Sequence, residues 1–357
     1  METKKLEFFF CIFLFSLLAG HQKVGGSSHH HHHHTHRHPY VFKPSKLFVF
    51  GDSYADTGNI AKSQANSWKF PYGITFPGKP VGRFSDGRVL TDYIAKFVGI
   101  KSPIPYRLRK YAAKRIRYGI NFAYGGTGVF NTLVPLPNMT TQIDFLQQLI
   151  HDAVYSCSDL QSSVALVSLA GNDYSAFTAR NGSAQGLQSF IPLVVTQLAT
   201  NLKRIHGLGV RKVAVTTLEP LGCLPRSTAM SSFQMCNGTQ NAAVSYHNLL
   251  LQQAVAKLNN ESKDSAFVVL DLYGSFMSVF KNKGEHPGSS KFVNPFKPCC
   301  VGISQAYSCG SVDGSGVKKY TICNDPESAF FWDTVHPTQE GWHAVYSALQ
   351  ASLEQLH

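Results

Sequence analysis

With 357 residues, 43% of them hydrophobic, the chain can form one large α/β domain with a substantial core, and its composition excludes disorder on a large scale. Lysines and arginines outnumber acids by 12, a balance that favours anionic surroundings. No recognition motif accompanies that charge, so nucleic acid is not an expected partner.

The chain opens with Lys4 and Lys5, an apolar stretch from Phe8 to Leu18 and the small residues Ala19-Gly20. This reads as a secretory signal over residues 1–20, too short for a membrane span, with cleavage expected near Gly20 or as far on as Gly26. No later stretch reaches about 18 apolar residues, so no transmembrane segment is expected. Residues 21–43 carry six histidines in a row, His29 to His34, with His36 and His38 beyond. Whether a purification tag or a native spacer, this segment is expected to be disordered and stands outside the fold and the site. Residues 44–357 then form a single domain.

Within that domain, near-continuous apolar runs mark strands buried on both faces: Lys46 to Gly51, Tyr118 to Ala123, Val164 to Leu169, Lys212 to Leu218 and Ala266 to Leu272. Helical spacing appears in Leu90, Tyr93, Ile94 and Phe97, and again in Ala243, His247, Leu250, Ala254 and Leu258. His247 on that stripe reads as a packing residue rather than a ligand. Trp342, Val345, Leu349, Leu353 and Leu356 give the core stripe of a final helix, for which Pro337 suits the first position. Alternating strands and helices with right-handed crossovers imply a three-layer α/β/α sandwich around a five-stranded parallel sheet.

The chemistry gathers at the ends of these runs. Phe50-Gly51-Asp52-Ser53-Tyr54 follows the first strand, and a Gly/Asp turn there can lift the Ser53 hydroxyl out of the fold. A serine hydroxyl is a weak nucleophile until a base takes its proton, and that base needs a carboxylate to fix its tautomer. Asp333 and His336, in Trp332-Asp333-Thr334-Val335-His336-Pro337, can share one face of a turn and fill both roles. Between them, Asn121-Phe122-Ala123-Tyr124-Gly125-Gly126-Thr127-Gly128 and Gly171-Asn172-Asp173 each place a backbone or amide donor at a strand's C-terminal end, where parallel α/β sheets bind ligands.

Four blocks in this order resemble the plant GDSL esterase/lipase family of the SGNH hydrolase superfamily, over nearly all of the chain from Pro44 onward. The resemblance implies a flavodoxin-like SGNH hydrolase fold with Ser53 as nucleophile, His336 as base and Asp333 as its orienting acid. It also implies an oxyanion hole made of the Ser53 N–H, an N–H of Gly125 or Gly126, with Gly126 preferred, and the Asn172 side chain. No metal or organic cofactor is required. Position 54 is Tyr where the family name expects Leu; as the start of the following helix, it bears on substrate fit more than on catalysis.

Secretion sets how the remaining motifs are read. Seven cysteines follow the leader, and in an oxidising compartment most should pair. Cys223 with Cys236 closes a short loop, and the group Cys299, Cys300, Cys309 and Cys323 should hold one or two more bridges inside a stapled insertion from about Lys283 to Asp325. The odd count, with Cys157, leaves at least one thiol unpaired or paired between molecules. Zinc is disfavoured, since the spacing lacks Cys-x-x-Cys and no histidine pair lies near. Sequons at Asn138, Asn181, Asn237 and Asn260 are expected glycosylation sites.

The run Arg107 to Arg117 holds six positive residues in eleven and no acid; it reads as a solvated face, or as a patch for anionic cell-wall polysaccharide or lipid. The aromatic, proline-rich run Trp68, Phe70, Pro71, Tyr72, Phe76, Pro77 either lines a substrate cleft or packs a surface loop. The expected function is a secreted serine esterase or lipase acting on lipid or small acyl esters. An acyltransferase with the same residues, or a wall-associated binding protein with little turnover, are the alternatives. A dinucleotide loop fails because its third glycine would fall at Asn131. An α/β-hydrolase elbow fails because Ser53 sits on the first strand.

Overall fold

The computed structural model describes residues 42–281 and 291–357, so the leader and the His-rich segment lie outside the described residues. Residues Lys43–His357 make one compact unit. At its centre six parallel strands, β1 (Lys46–Gly51), β2 (Ile104–Pro105), β3 (Ile120–Asn121), β4 (Ser163–Ser168), β5 (Lys212–Thr216) and β6 (Phe267–Leu270), lie in the order β2-β3-β1-β4-β5-β6. Strand β1, which leads to Ser53, is central and pairs with β4 along its whole length, from Lys46 opposite Ser163 to Gly51 opposite Ser168.

The sheet therefore has one strand more than the five expected. The extra strand is two residues long, paired only with β3, and its Pro105 has no N–H to offer a further neighbour. Such a strand is too short to show as an apolar run. Strand β3 is also shorter than the run from Tyr118 to Ala123, because Tyr118 closes a 3-10 helix and Gly119 follows at φ 96°. Leu272 opens a helix rather than ending a strand.

The helices that matter for the site are α1 (Leu90–Phe97), α2 (Met139–His151), α3 (Gly171–Ala179), α4 (Ala184–Gly207), α5 (Gly238–Ser262), α6 (Leu272–Lys281) and α7 (Gln339–Ala348). Successive strand residues face opposite ways. Phe48, Phe50, Val167 and Val215 pack with Ile143 of α2, Leu198 of α4 and Leu251 of α5 in one cluster. The alternate residues Leu47, Val49, Leu166 and Ala214 are equally buried on the other face. There α7 packs against α1 and α6, completing the three layers.

The stripe of α5 is turned from the expected one: Val244, His247, Asn248, Leu251, Val255 and Leu258 are buried, while Ala243, Leu250 and Ala254 are only half-buried. Val244 and Val255 take core positions ahead of their neighbours Ala243 and Ala254 because they remove more apolar surface from water. His247 packs as read, with Nδ1 at 2.6 Å from the Tyr174 hydroxyl; burial pushes its imidazole down to about 4. The final helix starts later than Pro337. Thr338 caps it by accepting the Gly341 N–H at 2.8 Å, and beyond Ala348 the chain continues as shorter turns that keep Leu349, Leu353 and Leu356 buried.

Three disulfides, Cys223–Cys236, Cys299–Cys323 and Cys300–Cys309, staple the described residues. No described cysteine is free, so the leftover thiol expected from the odd count is not found there. The insertion that carries the last two folds into a small hairpin, β7 (Cys300–Gly302) with β8 (Tyr320–Ile322). No described helix is long and apolar enough to cross a membrane.

Candidate active site

Strand β1 ends at Gly51, where only glycine fits, since a Cβ would lie 2.4 Å from the Ser168 carbonyl oxygen on β4. The chain then turns sharply. The N–H groups of Ala55 and Asp56 return to the Asp52 carbonyl at 3.1 and 2.9 Å, and that of Tyr54 to the Asp52 carboxylate at 3.0 Å. Residues 52–55 form a turn and not the start of a helix, which corrects the reading of position 54. The side-chain amide of Gln142 on α2 clasps the strand end, accepting the Gly51 N–H at 2.8 Å and donating to the Gly51 carbonyl at 3.0 Å.

Opposite this turn, Asp333 and His336 sit on a tight loop. The Asp333 carboxylate accepts the backbone N–H of Val335 and of His336, each at 2.8 Å, and faces His336 Nδ1 at 2.8 and 2.9 Å. His336 Nε2 lies 2.8 Å from Ser53 Oγ. The three side chains thus make one continuous hydrogen-bonded chain. With Nδ1–H pointing at the carboxylate, Nε2 is the nitrogen left to accept the hydroxyl proton. Burial opposes ionisation of Asp333, but the neighbouring His336 and the hydrogen bonds it receives outweigh burial and hold the carboxyl below its ordinary range.

The donor side of the site is more crowded. The Gly125 N–H donates to the Asp56 carboxylate at 3.0 Å, so Gly125 has no N–H left for a substrate. This corrects the pairing of Gly125 with Gly126 as alternatives. Gly126, at φ 80°, and Ser53 both have backbone N–H groups with no acceptor among the described residues. Asn172 stands in the first turn of α3, turned there by Ala170 at φ 121°, a backbone angle that L residues rarely adopt. Its Nδ2 donates to the Thr127 carbonyl at 3.0 Å and, over a longer 3.3 Å, to Asp52. The Gly-rich loop is fixed in turn by Asp173, whose carboxylate accepts the N–H groups of Val129 and Phe130, both at 2.9 Å. Burial raises the carboxyls on this side: Asp56 and Asp173 to about 6, and Asp52 well above its ordinary value, with Glu219 adding to the Asp52 shift.

Several site residues were not evident from sequence. The Tyr54 hydroxyl donates to the Val335 carbonyl at 2.9 Å, and Tyr72, from the aromatic run, donates to Asp333 Oδ2 at 2.7 Å. The Phe84 ring lies tilted over the His336 imidazole at 5.0 Å. Gln142 gave a usable signal, being a polar residue between Met139, Ile143 and Leu146 on an apolar helix face; the tyrosines gave none, because their partners lie more than 260 residues away. Of the basic run, Arg107, Arg109 and Arg117 lie over their own chain's Trp68, Tyr106 and Tyr118 rings. Arg115 donates to the Ser102 carbonyl; Lys110, Lys114, Arg115 and Arg117 are the exposed members of the run, and Arg107 and Arg109 are half-buried.

Residues 47–349 match the GDSL-like lipase/acylhydrolase family. One GDSL esterase/lipase of Arabidopsis thaliana is 62% identical over 98% of this chain and 97% of its own length. A second from the same plant is 59% identical over 88% and 90%. Acetylajmalan esterase 2 of Rauvolfia serpentina is 30% identical over 87% and 91%. By these matches the chain belongs to the GDSL-like lipase/acylhydrolase family, and its class of chemistry is carboxylic ester hydrolysis.

Proposed function

We propose that this chain is a secreted serine esterase or lipase that cleaves lipid or small acyl esters through an acyl-enzyme on Ser53. The observation that carries the reading is the unbroken chain from Ser53 Oγ to His336 Nε2 at 2.8 Å and from His336 Nδ1 to Asp333 at 2.8 Å. His336 takes the hydroxyl proton as Ser53 attacks the acyl carbon, and Asp333 steadies the imidazolium. The oxyanion meets the N–H groups of Ser53 and Gly126, while Asn172 Nδ2 turns from its long contact with Asp52 to supply a third donor. His336 then protonates the departing alcohol. Water, deprotonated by the same imidazole, releases the acid and restores Ser53.

Secretion is supported by the three disulfides and by the sequence leader. Of the four sequons, Asn181, Asn237 and Asn260 are exposed and Asn138 is half-buried. The side-chain oxygens of Asn138 and Asn237 cap helices, accepting the N–H groups of Thr141 and Gln240 at 3.1 Å each. Adhesion to anionic wall or lipid surfaces rests on the exposed Lys110, Lys114, Arg115 and Arg117 with the general positive charge.

A fluorophosphonate should label parent protein at Ser53 and leave Ser53→Ala unlabelled. A series of p-nitrophenyl esters of graded acyl length then gives the acyl preference, and added alcohols distinguish hydrolysis from acyl transfer. Turnover of esters by unlabelled, Ser53-deficient protein would overturn the reading.

A further inference from the structure

Asp333 rests on more than its own loop. Two of the disulfides among the described residues lie in a small buried cluster that unites Tyr72, Cys299, Cys300, Cys309, Tyr320 and Trp332. This cluster reaches Asp333 by two routes. Along the backbone, the Cys299 N–H donates to the Phe331 carbonyl at 2.9 Å and the Cys300 N–H to the Trp332 carbonyl at 2.6 Å, one residue before Asp333. Through side chains, the buried Tyr72 phenol donates to Asp333 Oδ2 at 2.7 Å.

Tyr72 is itself held by the insertion. The Tyr320 hydroxyl donates to the Phe70 carbonyl at 3.2 Å, Asn66 Nδ2 donates to the Ser308 hydroxyl at 2.9 Å, and the Tyr72 ring stands edge-on to Trp332 at 6.1 Å. With the phenol in place both carboxylate oxygens of Asp333 are fixed: Oδ1 by two backbone N–H groups, Oδ2 by Tyr72, and the imidazole between them. Burial, and after it the charge of Asp333, push the Tyr72 phenol well above its ordinary range, so it remains a donor whenever Asp333 is ionised.

We propose that Tyr72 is a positioning residue of the reaction, and that the stapled insertion is the brace that keeps its phenol on Asp333. This rests on the reading of Asp333 as the orienting acid. Without the phenol the carboxylate keeps its backbone donors on Oδ1, but Oδ2 is left with the His336 imidazole alone, and the imidazole loses a partner of constant direction. Substrate contacts are untouched, so the loss falls on turnover.

The test uses the full chain, with kcat and KM for p-nitrophenyl acetate and the rate at which a fluorophosphonate labels Ser53. Tyr72→Phe keeps the ring against Trp332; it should lower kcat and the labelling rate roughly tenfold with KM unchanged, as expected for a lost hydrogen bond to a charged group. Replacing Cys300 and Cys309 together by Ser should lower both rates by a similar factor. In the triple variant the loss should be no larger than in Tyr72→Phe, because both changes act through one contact. Should the cysteine pair fail to fold, Tyr320→Phe, which removes only the bond to Phe70, takes its place in the same comparison. Multiplied losses would show that the insertion acts elsewhere and overturn the brace. A Tyr72→Phe rate within twofold of the parent, while Asp333→Ala collapses, would overturn the role of Tyr72 alone. An Asp333→Ala variant at the parent rate would instead overturn the reading of Asp333.

Discussion

The Ser53 turn and the Asp333–His336 turn face each other across 2.8 Å, yet they are built in opposite ways. Ser53 follows the central strand of the sheet, and its turn is closed by bonds within residues 52–56 and by neighbours on β4 and α2. The Asp333–His336 turn does not follow a strand of the central sheet. It is held by contacts from distant parts of the chain: Tyr54 on the Val335 carbonyl, the Arg226 N–H on the Thr334 carbonyl, Tyr72 on Asp333 and Cys300 behind Trp332. A turn set by the sheet cannot move without disturbing the core, whereas a turn hung on loops can be adjusted one contact at a time.

The largest effect should come from breaking the chain that joins the two turns. Ser53→Ala or His336→Ala should each abolish nearly all ester hydrolysis, by about a millionfold in kcat, and the double variant should be hardly worse than either. Multiplied losses would show that the two turns do not act as one unit. Asp333→Asn should leave folding intact and lower kcat by roughly ten-thousandfold, since an amide can hold the imidazole in the wrong tautomer. Activity within a few-fold of the parent would detach the acid from the site.

This contrast also explains what could be read without coordinates. Ser53, Asp333 and His336 were legible because each stands in a short local pattern: a strand then Gly-Asp-Ser, and an acid three residues before a histidine. Five of the six strands were legible as apolar runs because both of their faces are buried, although the run around β3 is longer than the strand it contains. Strand β2 was not, having only Ile104 and Pro105. Nor was the occupied N–H of Gly125, which depends on the register of a loop against Asp56, or the reach of Tyr72 to Asp333. Bonds across so many residues leave no periodicity in the sequence.

Next in size is the donor side. Asn172→Ala should raise the barrier by about 3 kcal/mol, the amount typical of one lost oxyanion donor, mainly in kcat. A rise in KM alone would make Asn172 a substrate-binding residue and leave the oxyanion to Ser53 and Gly126.

The two turns should also respond to pH with opposite signs. Asp56, beside the nucleophile turn, is raised by burial to about 6. Its folded value lies above its unfolded one, so its contribution to stability is full below about pH 4 and is lost as pH rises through 6, a change of roughly 3 kcal/mol. Asp333 is lowered, so its contribution is present above about pH 4 and is lost as pH falls below that. Denaturant unfolding across pH 3 to 8 measures both. Asp56→Asn should make the curve less steep between pH 4 and 6, where Asp173 and Asp52 still contribute, and Asp333→Asn should make it less steep below pH 4. Curves parallel to the parent in both variants would show that neither carboxyl is shifted.

The smallest expected effect belongs to the contact that links the residue after the nucleophile to the opposite loop. The Tyr54 ring packs edge-on to Trp342 at 5.0 Å and parallel to Phe276 at 6.4 Å, while its hydroxyl reaches the Val335 carbonyl at 2.9 Å. Tyr54→Phe removes only that hydrogen bond. Because Val335 is half-buried, water can replace part of what is lost, and stability should fall by about 1 kcal/mol with a few-fold loss in kcat. Tyr54→Leu removes the ring contacts as well, and should cost roughly a further 1 kcal/mol for each aromatic pair given up. If Phe and Leu at this position were both equal to the parent in melting and in turnover, the two turns would be held independently. If Tyr54→Phe lowered turnover but not stability, the hydroxyl would serve the alignment of His336 rather than the fold, and position 54 would be part of the acid–base apparatus and not a determinant of substrate fit.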